Sequence, residues 1–262
     1  MTAGEKETIY KLLITVSDSI NGYTQKSFDM APPVFSDDET AVEASHEVQN
    51  NAQIPQNDSQ VTEVQTKKPV SLEVIADKIY ECRRCKLCQT RKNVVPGTGV
   101  LKPLVLVIGE GPGEEEDNQG LPFVGKAGQL LDKMLAAISL SRSQNCYIAN
   151  VVKCRPPHNR DPLPEEISAC ISFLDAQISL LKPSMILLMG RVAAQSVLRT
   201  SSGINALRGN FSMYNGIPVM PTYHPSALLR DERLKAPAWQ DLKAFRAKLL
   251  QLVPDYEKNF VK

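Results

Sequence analysis

The stretch from Gly109 to Gln129, GEGPGEEEDNQGLPFVGKAGQ, combines a glycine-rich turn with a run of carboxylates. Glycines in such a loop let the backbone approach a ligand closely. Gly120 to Lys126 nearly spells a phosphate-binding loop, in which backbone N–H groups cradle phosphates and a hydroxyl after the lysine holds magnesium. Ala127 supplies no hydroxyl, no strand runs directly into Gly120, and Glu114, Glu115 and Glu116 would repel a triphosphate. Gly109, Gly111 and Gly113 make a poor dinucleotide fingerprint, because its third glycine would fall at Glu114.

Cysteine supplies the second possible chemistry. Cys82 and Cys85 form a CxxC, extended by Cys88, and Cys154 and Cys170 follow far downstream. Zinc ribbons usually bring a second short pair, which this chain lacks. Thiolates from scattered segments also suit an iron-sulfur cluster, so spacing leaves both open. Cys146 falls on an apolar stretch and reads as a buried small hydrophobe.

The elements that must position these groups alternate. Leu104 to Ile108 is a short apolar run bounded by Pro103 and Gly109, as expected of a strand buried on both faces. Strands are also expected around 147–152, 185–189 and 217–220. Helices are expected at 72–80, from about 127 to 140, from Pro164 through an apolar stripe to Leu181, up to Leu198, and from about 237 to 250. This order implies an α/β three-layer sandwich whose central sheet is mostly parallel. A loop leaving the carboxyl end of such a strand is where ligands usually bind.

Composition divides the chain. The 262 residues carry a net charge of +1, yet residues 22 to 66 hold eight acids against Lys26 alone and the first 21 residues add −1. That leaves +9 for the remainder, a balance that suits a polyanionic partner such as nucleic acid. Residues 1–67 read as a leader, with a disordered acidic linker over 22–66, and residues 68–262 as the folded domain. Ile9, Leu12, Leu13, Val16 and Ile20 follow helical spacing, so residues 6–20 form an amphipathic segment able to pack locally or dock a protein partner. Neither a signal peptide nor a membrane span is visible, and free thiols suit a reducing compartment, so a cytoplasmic protein is expected.

With these pieces together, residues 70–250 resemble the family 4 uracil-DNA glycosylases, the iron-sulfur members of their superfamily. The resemblance rests on Gly109 to Asp117, Gly120 to Gln129, Asn150-Val-Val-Lys-Cys-Arg-Pro-Pro157 and His224-Pro-Ser-Ala-Leu228, in that order. It implies a monomer acting on uracil-containing DNA, single- or double-stranded, to begin base excision repair. It also implies a [4Fe-4S] cluster on Cys82, Cys85, Cys154 and Cys170, with Cys88 a neighbour.

Breaking the bond from C1' to uracil N1 develops positive charge on the sugar and negative charge on the base, and both need stabilising. The resemblance gives Phe123 the flipped base to stack on and Asn150 the pairing with O4 and N3–H. It gives His224 a hydrogen bond to O2, and Leu228 the gap left in the duplex. Glu110 is expected to orient a water or stabilise the sugar cation, with Asn159 assisting. Glu116 would stand near C5 and crowd out thymine, while the Gly111 backbone approaches the ligand. Two competing readings remain at this point: a non-catalytic iron-sulfur protein that binds DNA or senses redox state, and a triphosphate-binding protein using Lys126.

Overall fold

The computed structural model describes residues 71–258, 260 and 261. The amphipathic segment at 6–20 and the acidic linker lie outside the described residues.

Six strands form one sheet: β1 (Thr98–Gly99), β2 (Val105–Gly109), β3 (Cys146–Asn150), β4 (Met185–Met189), β5 (Ser212–Tyr214) and β6 (Ile217–Thr222). Their spatial order is β1-β3-β2-β4-β6-β5. The four inner strands run parallel, and β1 and β5 pair antiparallel at the two edges. Both edge strands are missed by a search for apolar runs, because they are too short to show a period of two.

The described helices are α1 (Leu72–Tyr80), α2 (Glu114–Gln119), α3 (Lys126–Ala136), α4 (Pro164–Leu181), α5 (Arg191–Leu198), α6 (Ile204–Leu207), α7 (Pro225–Arg230) and α8 (Lys235–Leu252). Successive strand side chains point to opposite faces. Leu106, Ile108, Ile186 and Leu188 therefore enter one core, with α1, α4 and α5, while Val105, Val107, Met185 and Leu187 enter another, with α3 and α8. This is the three-layer arrangement expected from the alternation of elements.

Local chemistry sets the helix starts. Ser71 accepts the Val74 N–H at 3.3 Å to cap α1. Pro164 opens α4 and Pro225 opens α7, positions where the missing N–H costs no intrahelical bond. The acid run of Glu114 to Asp117 forms the first turn of α2, where negative charge meets the positive end of the helix dipole.

Candidate active site

The carboxyl ends of the parallel strands meet along one edge of the sheet. Gly109 and Asn150 stand opposite each other in register as the last residues of β2 and β3. Gly190 follows β4, and Tyr223 and His224 follow β6. A cleft of about 710 Å³ opens there, within the range of roughly 300–1,000 Å³ usual for small-ligand sites. Glu110, Gly111, Glu116 and Phe123 line it from the β2 side, Asn150 and Asn159 from the β3 side, and His224 from the start of α7.

Asn150 is 1% exposed, and its Oδ1 is the one fully buried side-chain polar atom among the described residues that lacks a hydrogen-bond partner. An orphaned acceptor of this kind costs about 1–3 kcal/mol unless a ligand satisfies it. Gly109 makes room for it: a Cβ there would lie 2.4 Å from Oδ1 of Asn150 and 2.6 Å from the Phe123 ring. Phe123 adopts φ +52, a left-handed conformation that needs external support. Arg142 provides it by donating at 2.8 Å to both the Pro122 and Phe123 carbonyls while pairing with Asp132. Gly128 lets α3 pack against that loop, since a Cβ there would lie 2.0 Å from the Phe123 carbonyl oxygen. The Phe123 ring then faces His224, with ring centres 5.5 Å apart.

His224 caps α7. Its Nδ1 accepts the Ser226 backbone N–H at 3.1 Å and stands 2.8 Å from the Ser226 hydroxyl. A nitrogen that accepts a backbone N–H carries no proton of its own, so in the neutral ring the proton sits on Nε2. Burial foremost, then the positive charge of Arg230, pushes the imidazole down to about 4. His224 is therefore a neutral donor through Nε2 near pH 7.

Glu110 behaves in the opposite sense. Burial, and then the negative charge of Asp161, raises its carboxyl from 4.5 to about 7, against the pull of Arg191 and Arg230. Asp161 and Arg191 form an ion pair and both line the cleft. Asn159, at φ +55, accepts the Arg155 Nε–H at 2.7 Å, which fixes its amide at the rim.

The Glu116 carboxylate is fully engaged. It accepts the Gly113 N–H at 3.0 Å, the Val124 N–H at 2.9 Å and the Gly125 N–H at 3.0 Å. It thereby ties the glycine turn to the loop that carries Phe123, and presents to the cleft a fixed wall in place of a free acid. The same bonds remove the phosphate-binding reading, because a bound anion would need the Val124 and Gly125 N–H groups that Glu116 already occupies.

Leu228 is a correction. It lies on α7, 2% exposed, within the core cluster on the α3 and α8 side of the sheet, and is not among the residues that line the cleft. A side chain held by core packing is not available to wedge into a duplex; its neighbour Leu229 is the exposed one, at 49%. Four residues escaped sequence reasoning: Ser226, which sets the His224 tautomer, Arg142, and the Asp161–Arg191 pair. Only the serine had a local signal, a hydroxyl close behind a histidine in a Pro-started turn.

On the far side of the β3 exit, Cys82, Cys85, Cys88, Cys154 and Cys170 line one cavity. Cys85 begins a 3₁₀ turn, Lys86–Gln89, that follows α1, and Cys170 projects from α4. Arg91 donates to the Cys154 sulfur at 3.0 Å and to the Cys82 carbonyl at 2.9 Å, and the Lys153 backbone N–H donates to the Cys170 sulfur at 3.3 Å. Burial raises the thiols of Cys85 and Cys170, and that of Cys154 to about 11. They would stay protonated near pH 7 unless a metal held them as thiolates. Among the described residues no three Cys, His, Asp or Glu side chains converge on a point that one ion could occupy.

Comparison with known proteins gives the family. The sequence model of a family described as the uracil DNA glycosylase superfamily matches residues 96–243. The chain is similar to the type-4 uracil-DNA glycosylase of Sulfurisphaera tokodaii, 41% identical over 184 residues that cover 67% of this chain and 84% of the relative. It is 44% identical over 162 residues to the type-4 uracil-DNA glycosylase of Thermotoga maritima, covering 61% of this chain and 84% of the relative. A type-5 uracil-DNA glycosylase of Pyrobaculum aerophilum is 33% identical over 184 residues, 58% of this chain and 81% of the relative. The matched span contains the glycine turn, Asn150 and His224, and on these grounds the chain belongs to the uracil DNA glycosylase superfamily, on its type-4 branch.

Proposed function

We propose that this protein is a uracil-DNA glycosylase that flips uracil out of DNA and hydrolyses its N-glycosidic bond, the first step of base excision repair. The observation that carries the reading is the buried, unpartnered Oδ1 of Asn150 in a cleft shared with an aromatic face and an imidazole N–H donor. Uracil offers N3–H to that oxygen and O4 to the amide nitrogen, whereas cytosine offers an acceptor and a donor in the reversed order. Cytosine in the cleft would leave the Asn150 oxygen facing another acceptor, the kind of mismatch that makes a polar site selective.

Phe123 supplies the stacking surface, a contact worth about 1–3 kcal/mol per base. As the glycosidic bond breaks, the Nε2–H of His224 faces O2 and stabilises the developing uracil anion without giving up its proton. Glu110, about half ionised near pH 7 and more so above it, faces the sugar cation or orients the attacking water, and Asn159 helps to place that water. The packed Glu116 wall beside C5 leaves no room for the methyl group of thymine. Lys126, Arg160 and Arg230 stand at the cleft and attract the phosphates on either side of the flipped nucleotide.

A [4Fe-4S] cluster on Cys82, Cys85, Cys154 and Cys170 completes the proposal. When bound, it cross-links the turn after α1, the segment after β3 and α4. Four thiolates around a single zinc would sit about 3.8 Å apart, from a zinc–sulfur distance of about 2.3 Å. Five described cysteines, the four named above and Cys88, line one cavity, which supports a shared metal site there; the choice of the cluster over a single zinc rests on the likeness to the type-4 enzymes. The protein acts as a monomer in this reading, in the reducing cytoplasm that its free thiols require.

The test is release of free uracil by cluster-loaded protein from single-stranded, U·G and U·A oligonucleotides. Binding of the oligonucleotide without base release would replace the enzyme with a non-catalytic DNA-binding protein of the same fold.

A further inference from the structure

Lys153 is not used by the mechanism above, yet it lies between the two sites. It is 1% exposed and among the largest fully buried side chains. Its ammonium donates to the Asn150 backbone carbonyl at 2.8 Å and to Oε1 of Gln177 at 2.7 Å. Gln177 is itself held by donating to the Pro96 carbonyl at 2.9 Å. Both acceptors are neutral, and no described carboxylate lies within ion-pair reach.

A buried ammonium is costly unless an anion faces it. Among the described residues the candidates are sulfurs: Lys153 lines the cysteine cavity, precedes Cys154 in the chain, and gives its own backbone N–H to Cys170. A cluster carried by four thiolates bears net negative charge, so it supplies the missing counter-charge. The same ammonium then holds the main chain at the residue whose side chain reads the base.

We infer that Lys153 couples the two sites, as the internal counter-charge of the cluster and as the strut that sets where the Asn150 amide stands in the cleft. The inference rests on the cluster and uracil-reading assignments proposed above. It makes Lys153 a positioning residue, acting on substrate only through Asn150.

The test compares cluster-loaded wild type with Lys153→Met, which keeps volume and removes the charge. Two properties should change together. The cluster's reduction potential should move negative, because a nearby positive charge no longer favours the added electron. Uracil release should fall about 10- to 100-fold in kcat/KM, carried mainly by kcat, as for other outer partners of metal sites. A Lys153→Met protein with wild-type potential, or with wild-type uracil release, would overturn the coupling. If that variant fails to take up iron, Gln177→Glu gives Lys153 a carboxylate of its own and should shift the potential negative with iron content unchanged; an unmoved potential there overturns the inference equally. Wild-type protein that held iron but released no uracil would sink the glycosylase reading by itself, which keeps the two failures apart.

Discussion

Replacing Glu110 by Gln separates stability from activity at one side chain. The Glu110 carboxyl is raised from 4.5 to about 7, first by burial and then by the charge of Asp161. A carboxyl that binds its proton more tightly folded than unfolded stabilises the fold fully below pH 4.5, and that contribution is lost as pH rises through 7. The full difference is worth about 3.4 kcal/mol at 1.36 kcal/mol per tenfold change in proton affinity. Because the side chain is only half-buried, solvent screening reduces the expected effect to about 2 kcal/mol. Gln keeps the shape and never ionises. Glu110→Gln should therefore be more stable than wild type by about 2 kcal/mol at pH 8, shrinking to about a quarter of that at pH 5, where little Glu110 is ionised in the folded protein. Urea unfolding at the two pH values reads this directly. In the uracil-release assay, wild type should lose activity as pH falls through about 7, while the variant stays low and flat. A stability difference that does not change with pH, or wild-type activity indifferent to that range, would refute the assignment of a strained, working carboxylate.

Other outcomes follow from the same geometry. His224→Ala should lower kcat about 10²- to 10³-fold with the fold intact, as loss of a preorganised donor does; wild-type His224, depressed to about 4, should show no titration by NMR between about pH 5 and 8. Glu116→Gln keeps one acceptor oxygen for donors that now use two, and should cost about 1–3 kcal/mol in denaturant unfolding. Leu228→Ala should lower stability by about 2–5 kcal/mol, whereas Leu229→Ala, on the exposed neighbour, should stay within about 0.5 kcal/mol. Cys154→Ser should lose the visible absorbance of the cluster and Cys88→Ala should keep it; the reverse result would reassign the fourth ligand.

Much of the architecture is legible before any folding is considered. Val105–Gly109 and Met185–Met189 are apolar throughout because both faces of an inner parallel strand are covered, and that pattern needs no partner to be recognised. Pro164 and Pro225 mark helix starts through a fixed φ and a missing N–H. Thr98–Gly99 and Ser212–Tyr214 are strands only because a neighbour supplies hydrogen bonds to them. The exchange of Leu228 for Leu229 has an equally local cause. Adjacent helical residues point about 100° apart, so one of two identical side chains faces the core and the other solvent, and nothing in the letters says which.

The candidate site divides along the same line. The sequence by itself determined the inventory: a glycine turn after a buried strand, an asparagine at the end of another, a histidine before a proline, and a CxxC with further cysteines far downstream. Tertiary structure alone decided what each group can do. The raised carboxyl of Glu110 and the vacant Oδ1 of Asn150 depend on neighbours distant in the chain, while the neutral Nε2–H form of His224 and the occupied oxygens of Glu116 depend on nearer residues that the folded loops hold in place. Protonation and hydrogen-bonding state are set by burial and by the charges and donors within a few ångströms, and those distances exist only after the strands have brought their carboxyl ends to one edge.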